Sequence, residues 1–266
     1  MIIGLQAATA GLEAEQVSMN AIADDIANDN TPGFKAVFAS AVSTQPVSGP
    51  GLASPTVQLA AMPAGVGPAT QVYYGGGAAA IASYRDWGQG GLTVTKQPWD
   101  LAIEGNGLFR VRLTGGQNAY TRAGNFSLDG GGTLVDAFGH EVLSTNGTPI
   151  TVSVSKGPTA VSPDGTVTQG GTKLAQIGLA NFRSLQGLQP GPDGEWLASA
   201  ASGPALAGTA GSAGFGTIIP GALETSNTSM SVAMASLIEA NSAFQMDAKA
   251  VMAANSMWSS ANQIKA

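Results

Sequence analysis

The sequence predicts an α+β fold: long N- and C-terminal helices paired as a coiled coil, with a central β-rich domain between them. Three observations predict it. Apolar residues recur every seven positions near the N-terminus, and they do so again, more strongly, near the C-terminus. Between these ends the periodicity shortens to strand length and is punctuated by Gly-containing turn dipeptides.

At the N-terminus Leu5, Leu12, Met19 and Ile26 share one heptad position, with Ala8, Glu15 and Ile22 at its companion. This is the spacing of a narrow apolar helical seam. The helix is expected to stop at Asn30-Thr31-Pro32-Gly33-Phe34, because Pro disfavours a helical predecessor and Gly accepts the reversed backbone. These five residues are the predicted bend from helix to connector. Residues 35–70 are dominated by Pro, Gly, Ser and Ala, and read as an extended connector.

Residues 71–221 read as a β-rich outer domain. Strand-like runs include Gln71–Tyr74, Leu92–Thr95, Leu101–Ile103, Leu108–Leu113, Ala119–Thr121, Ile150–Val154 and Ala175–Asn181. Gly115-Gly116, Asp129-Gly130, Asn146-Gly147 and Asp164-Gly165 mark turns between runs. Residues 199–217 are Gly/Ala/Ser-rich and read as a loop.

At the C-terminus Met230, Leu237, Phe244, Val251 and Trp258 recur every seven residues, with Met234, Asn241, Ala248 and Asn255 at the second seam position. Thr225, Ser226 and Asn227 offer N-cap oxygens, and no Pro or Gly follows Gly221. One helix of about 35 residues is expected. The helical domain therefore comprises residues 1–34 and 222–266. Each apolar seam needs a partner, and the two helices satisfy this by pairing with each other, by packing between subunits, or both.

Composition excludes several function classes. The 266 residues carry 11 Lys+Arg against 17 Asp+Glu, a net charge of −6, which leaves too few clustered cations for a nucleic-acid partner. The absence of cysteine excludes disulfides, thiol nucleophiles and Cys-ligated metals. No apolar run is long enough for a membrane-spanning helix. The first basic residue is Lys35, so the chain does not open on a secretory signal, and export, if any, is expected without a cleaved signal peptide.

No motif calls for catalysis. Gly105-Asn106-Gly107 opens like a dinucleotide fingerprint, but Arg110 stands where the third glycine belongs, so a hairpin turn is expected. His140, the only histidine, adjoins Gly139 and reads as a structural turn residue. Asp100 and Glu104, with Trp99 beside them, keep a different-class alternative open: a secreted carbohydrate-binding or hydrolytic β-module. Trp87, Trp99 and Trp196 read otherwise as core anchors. No catalytic, cofactor-binding or metal residues are assigned, and no cofactor is expected.

Three stretches resemble one family. Asn20-Ala21-Ile22-Ala23-Asp24-Asp25-Ile26-Ala27-Asn28, continued by Asn30-Thr31-Pro32-Gly33-Phe34-Lys35, resembles the signature of bacterial flagellar rod and hook proteins. So do Asp100-Leu101-Ala102-Ile103-Glu104-Gly105-Asn106-Gly107-Leu108-Phe109 and Tyr120-Thr121-Arg122-Ala123-Gly124-Asn125-Phe126, and so does Gly221-Ala222-Leu223-Glu224-Thr225-Ser226-Asn227 before the last helix. The chain departs from the usual pattern at Asp24-Asp25 and Leu108-Phe109. Its length and connector are most similar to the distal-rod branch, with proximal rod and short hook proteins as near alternatives.

The resemblance implies a non-enzymatic structural subunit of the flagellar basal body. It implies a helical homopolymer that lines an export channel and transmits torque, with other rod and hook proteins and surrounding ring proteins as neighbours. The expected subunit-packing seam is Leu5, Leu12, Met19, Ile22, Ile26, Met230, Leu237, Phe244, Val251 and Trp258.

Overall fold

The computed structural model describes residues 2–38, 41–43, 78–80, 84–153 and 157–264. Most of the expected connector and the run at 71–74 lie outside the described residues. Two helices bracket the chain: α1 spans Ile2–Ala27 and α2 spans Met230–Ile264. The α+β class and the β-rich centre are as the sequence predicts. The chain divides into two compact units, one of Met1–Ala23, Phe38–Ser83 and Met234–Ala266, the other of Asp24–Val37 and Tyr84–Ala233.

In the helical unit, α1 and α2 approach each other where side chains are small. A Cβ built on Gly11 would lie 2.7 Å from Asp247 Oδ2. Glu15, one turn further along α1, feels both Asp247 and Glu239, so the helices run antiparallel here. Ala14 and Ala240 are the most enclosed apolar residues of this unit among those described. That differs from the sequence expectation for α2. Met234, Asn241 and Asn255 are exposed and Ala248 is half-buried, whereas Ala240 is only 7% exposed. Three residues after Leu237, Ala240 is the enclosed companion, while Asp247 and Ala254, three residues after Phe244 and Val251, are half-buried like Ala248. A short antiparallel pair, Ala41–Ser43 with Ala78–Ala80, also belongs to this unit.

The β-rich unit is built on a nine-stranded antiparallel sheet. Its central strand, Leu108–Arg112, pairs with Asn118–Thr121, Glu141–Val142 and Leu179–Asn181. A three-stranded meander covers 159–176, and two further pairs join Leu101–Glu104 to Thr217–Pro220 and Leu92–Val94 to Ala222–Glu224. Alternation explains the core: Phe109 and Val111 point into it with Leu101, Ile103, Leu134, Ile150, Ile177 and Ile218, all fully enclosed. Phe109 meets Phe126 edge-on at 5.0 Å. Tyr120, Phe182 and Trp196 form a second apolar cluster, with Trp87 packed against it.

Three strand expectations need correction. Residues 150–153 form no strand but contribute buried Ile150 and Val152 through isolated bridges at Pro149 and Thr151. The run 175–181 is shared between the strands Thr172–Gln176 and Leu179–Asn181, with Ile177 between them bridged to Ser144 and Gly178 so close to Ser144 O that a Cβ would stand 2.6 Å from it. The expected loop at 199–217 contains the edge strand Leu206–Gly208.

Candidate assembly site

Residues 28–34, which follow α1 and lie in the β-rich unit, are held by side chains that recruit backbone. Asn28 closes α1, donating through Nδ2 to Asp24 O at 2.9 Å. Thr31 Oγ1 donates to Asn28 Oδ1 at 3.1 Å, and Phe34 N donates to Thr31 O at 3.2 Å. Gly33 has φ +69°, and its N–H donates to Glu224 O at 2.8 Å. A Cβ there would lie 2.5 Å from Ala123 N, so glycine is required twice over, by conformation and by space.

Beyond the bend lies a buried ionic node. Lys35 Nζ is 2.6 Å from Glu224 Oε1 and also donates to Gly88 O at 2.7 Å. Arg122 Nε donates to Glu224 Oε2. The Arg122 guanidinium also donates to Ile103 O, Gly105 O and Gly107 O. Gly90 N donates to Glu224 Oε1 at 2.9 Å. All three ionised side chains are buried, and burial holds the Lys35 ammonium below its usual pKa against the pull of Glu224. Such a node persists only because every polar atom finds a partner.

The node corrects the expectation for Gly105-Asn106-Gly107. Leu101–Glu104 pairs with Thr217–Pro220, not with Leu108–Arg112, so the Gly-Asn-Gly turn joins two sheets instead of closing a hairpin. Gly105 and Gly107 have φ of +104° and +130°, which turns their carbonyls toward the Arg122 fork. Gly124 explains itself similarly: its carbonyl accepts from Leu101 N, and a Cβ would fall 1.6 Å from Leu101 O.

Thr225, Ser226 and Asn227 do not cap α2, which begins at Met230. Asn227 Oδ1 accepts from Ala36 N at 2.7 Å, and its Nδ2 donates to Asp86 O and Gly88 O. Thr225 Oγ1 donates to Gly91 O, and Thr228 Oγ1 donates to Asp29 Oδ1 at 3.1 Å. Asp25 Oδ1 accepts from Val37 N at 2.9 Å. Burial raises the Asp25 pKa, with that N–H opposing it. Arg85 stacks over Trp196 at 4.5 Å and donates to Lys35 O at 3.0 Å. The three tryptophans serve as anchors as expected: Trp196 is buried, and Trp87 and Trp99 pack on the clusters.

Lys35, Arg122 and Glu224 belong to the three separate stretches that carry the family resemblance. Comparison with known proteins decides the matter. The family model described as flagella basal body rod protein matches residues 5–35, the flagellar hook protein FlgE/F/G D1 domain matches 102–169, and the flagellar basal body rod FlgEFG protein C-terminal matches 219–264. The flagellar basal-body rod protein FlgG of Caulobacter vibrioides is 36% identical over 269 residues, covering 98% of each chain. The chain belongs to the flagellar basal-body rod protein family. FlgG of Borreliella burgdorferi is 31% identical over 100% of this chain and 99% of that protein, and FlgG of Bacillus subtilis is 32% identical over 94% of each. FlgF of Caulobacter vibrioides is 32% identical over 87% of this chain and 84% of that protein.

Within this rod-family chain the expected seam residues fall into two groups. Leu12, Met19, Ile22, Ile26, Leu237, Phe244 and Val251 are half-buried, while Met230 and Trp258 are exposed. The side chain of Leu5 lies outside the described residues. Asp100 bridges to Asn125 through backbone and Glu104 is exposed. Two clefts among the described residues, a larger one of about 580 Å³ and a smaller one of about 190 Å³, have none of Asp100, Glu104 and Trp99 in their walls. No helix among the described residues is long and apolar enough to cross a membrane.

Proposed function

We propose that the chain is a non-enzymatic structural subunit of the flagellar basal-body rod, of the distal-rod kind. Likeness to FlgG along nearly the whole chain carries this reading. A proximal rod or hook protein of the same family is the alternative, and the likeness to FlgF, over most of the chain, keeps it in view. Subunits polymerise into a helical tube that encloses an export channel and transmits torque, and each reaches the tip through that channel without a cleaved signal. Other rod and hook proteins, and the rings around the rod, are its neighbours.

The terminal helices pair as a coiled coil and present their remaining apolar surface to neighbouring subunits. Leu5, Leu12, Met19, Ile22, Ile26, Met230, Leu237, Phe244, Val251 and Trp258 are the seam of that packing. Supporting this, α2 keeps a large apolar surface uncovered in the single chain: Ile238 is 69% exposed, with Val232, Met246, Met252 and Met257 similarly open. A heterologous contact between such faces generates a filament when its rotation does not close.

The test is Ile238→Asp, a change at an exposed position that leaves the β-rich unit untouched. The variant should remain monomeric in sedimentation velocity at concentrations where the parent polymerises, and should fail to restore swimming to a strain lacking the gene. Polymerisation and swimming like the parent's would overturn the proposal.

A further inference from the structure

One wall of the larger cleft is made by two tight turns of the β-rich unit. The turn between Leu134–Val135 and Glu141–Val142 carries Asp136 and His140, and the turn between Gln189–Pro190 and Trp196–Leu197 carries Asp193 and Glu195. His140 Nδ1 lies 3.0 Å from Asp136 Oδ2 and 2.8 Å from Glu195 Oε1. Its Nε2 lies 3.6 Å from Asp193 Oδ2. Asp136, His140 and Glu195 are buried, and one donor atom from each lies within 4.8 Å of the others.

The second oxygen of each buried carboxylate is already committed. Asp136 Oδ1 accepts from Phe138 N and His140 N, and Glu195 Oε2 accepts from Asp193 N. The remaining oxygens, Asp136 Oδ2 and Glu195 Oε1, both point at Nδ1, which carries at most one hydrogen and cannot satisfy two acceptors fully. Among the described residues no lysine or arginine forms an ion pair with Asp136, Asp193 or Glu195. Lys35 and Arg122 line the same cleft, but Glu224 holds both. The site therefore has more buried negative charge than one imidazolium neutralises, which is costly without a further cation.

The spacing suits an ion. Ligands about 2.0–2.2 Å from a first-row metal, at adjacent octahedral positions, stand roughly 3 Å apart. We propose that Asp136, His140 and Glu195 bind one divalent first-row transition ion, through Nδ1 and one oxygen of each carboxylate. Asp193 sits behind Nε2 and orients the ring, as acidic partners of ligating histidines do. An imidazole with two carboxylates suits Zn²⁺ or Mn²⁺ better than Ca²⁺ or Mg²⁺, which prefer all-oxygen sets. The bound ion ties the two turns together, and the cleft is its entry path. This inference is independent of the rod assignment.

The sequence makes the test clean, since His140 is the only histidine, provided the protein is prepared without a histidine tag. The full-length ¹⁵N-labelled protein is titrated with ZnCl₂ while its single pair of imidazole nitrogens is followed by long-range ¹H–¹⁵N spectra. The Nδ1 resonance should move and saturate at one equivalent, the melting temperature should rise, and EDTA should reverse both. Glu195→Gln should abolish the shift, and Asp136→Asn, which keeps the turn-capping oxygen but loses the ligand's charge, should raise the Zn²⁺ concentration needed to saturate it. Imidazole resonances unchanged in excess Zn²⁺, or a shift that persists in both variants, would overturn the proposal.

Discussion

Lys35 and Glu224, 189 residues apart in sequence, meet as a buried ion pair with Nζ 2.6 Å from Oε1. Arg122 holds the other carboxylate oxygen, so one acid neutralises cations from the N-terminal and the central stretch. Attraction between the ends of the chain is thereby concentrated on a single side chain.

Removing that side chain should be severe. Glu224→Gln leaves two buried cations without a counter-charge, and breaking such a pair costs about 3–5 kcal/mol. Urea denaturation of the full chain, followed by Trp fluorescence, should show the midpoint falling sharply. A midpoint within experimental error of the parent would mean that backbone carbonyls alone hold Lys35 and Arg122.

Gly33 and Gly116 separate conformational strain from crowding. Both have positive φ, but nothing lies within 4 Å of a Cβ on Gly116, whereas one on Gly33 meets Ala123 N at 2.5 Å. Gly116→Ala should cost about 1–2 kcal/mol. Gly33→Ala should cost clearly more, because backbone must also move. Equal losses in thermal melts would show that the bend relaxes freely.

Phe109 is fully enclosed and packs edge-on against Phe126. Phe109→Ala should destabilise the β-rich unit by about 3–5 kcal/mol. Leu206→Ala, at an exposed edge strand, should cost well under 1 kcal/mol. Equal losses for the two in denaturant titrations would place the core elsewhere.

Acid should relieve the repulsion that Glu15 meets in the helical unit. The Glu15 pKa is raised by burial and then by the charges of Asp247 and Glu239. A carboxyl with a higher pKa folded than unfolded binds more protons in the folded state, so Glu15's own contribution to stability is fullest below pH 4.5 and is lost as pH rises through the raised value. Glu15→Gln should therefore raise helix stability at neutral pH and lose its advantage in acid. Circular dichroism melts of both proteins across that range should show the gap closing, and a gap independent of pH would count against it.

Both helices were legible because a heptad repeat is local information: Leu237, Phe244 and Val251 announce a helix whatever surrounds them. That Ala240 becomes enclosed was not legible, since a short side chain owes its burial to what packs around it and not to its own place in a repeat. Many turns were readable from Gly-containing pairs, but the partners of strands were not. Leu101–Glu104 pairs across more than a hundred residues with Thr217–Pro220, which no short pattern reveals. The ionic node stayed invisible for the same reason. Lys35, Arg122 and Glu224 look like ordinary charges until the fold brings them together, although each sits in a stretch that marks the family.

The placement of Glu224 also sets a clock. A chain that emerges N-terminus first exposes Lys35 early and Arg122 midway, yet the acid that neutralises both arrives only near the end, on the strand Ala222–Glu224. Until then the two cations cannot be taken out of water cheaply, and the strand edges awaiting 217–224 remain open. The ionic node and the two strand pairs that use 217–224 are therefore completed only once almost the whole polypeptide is out.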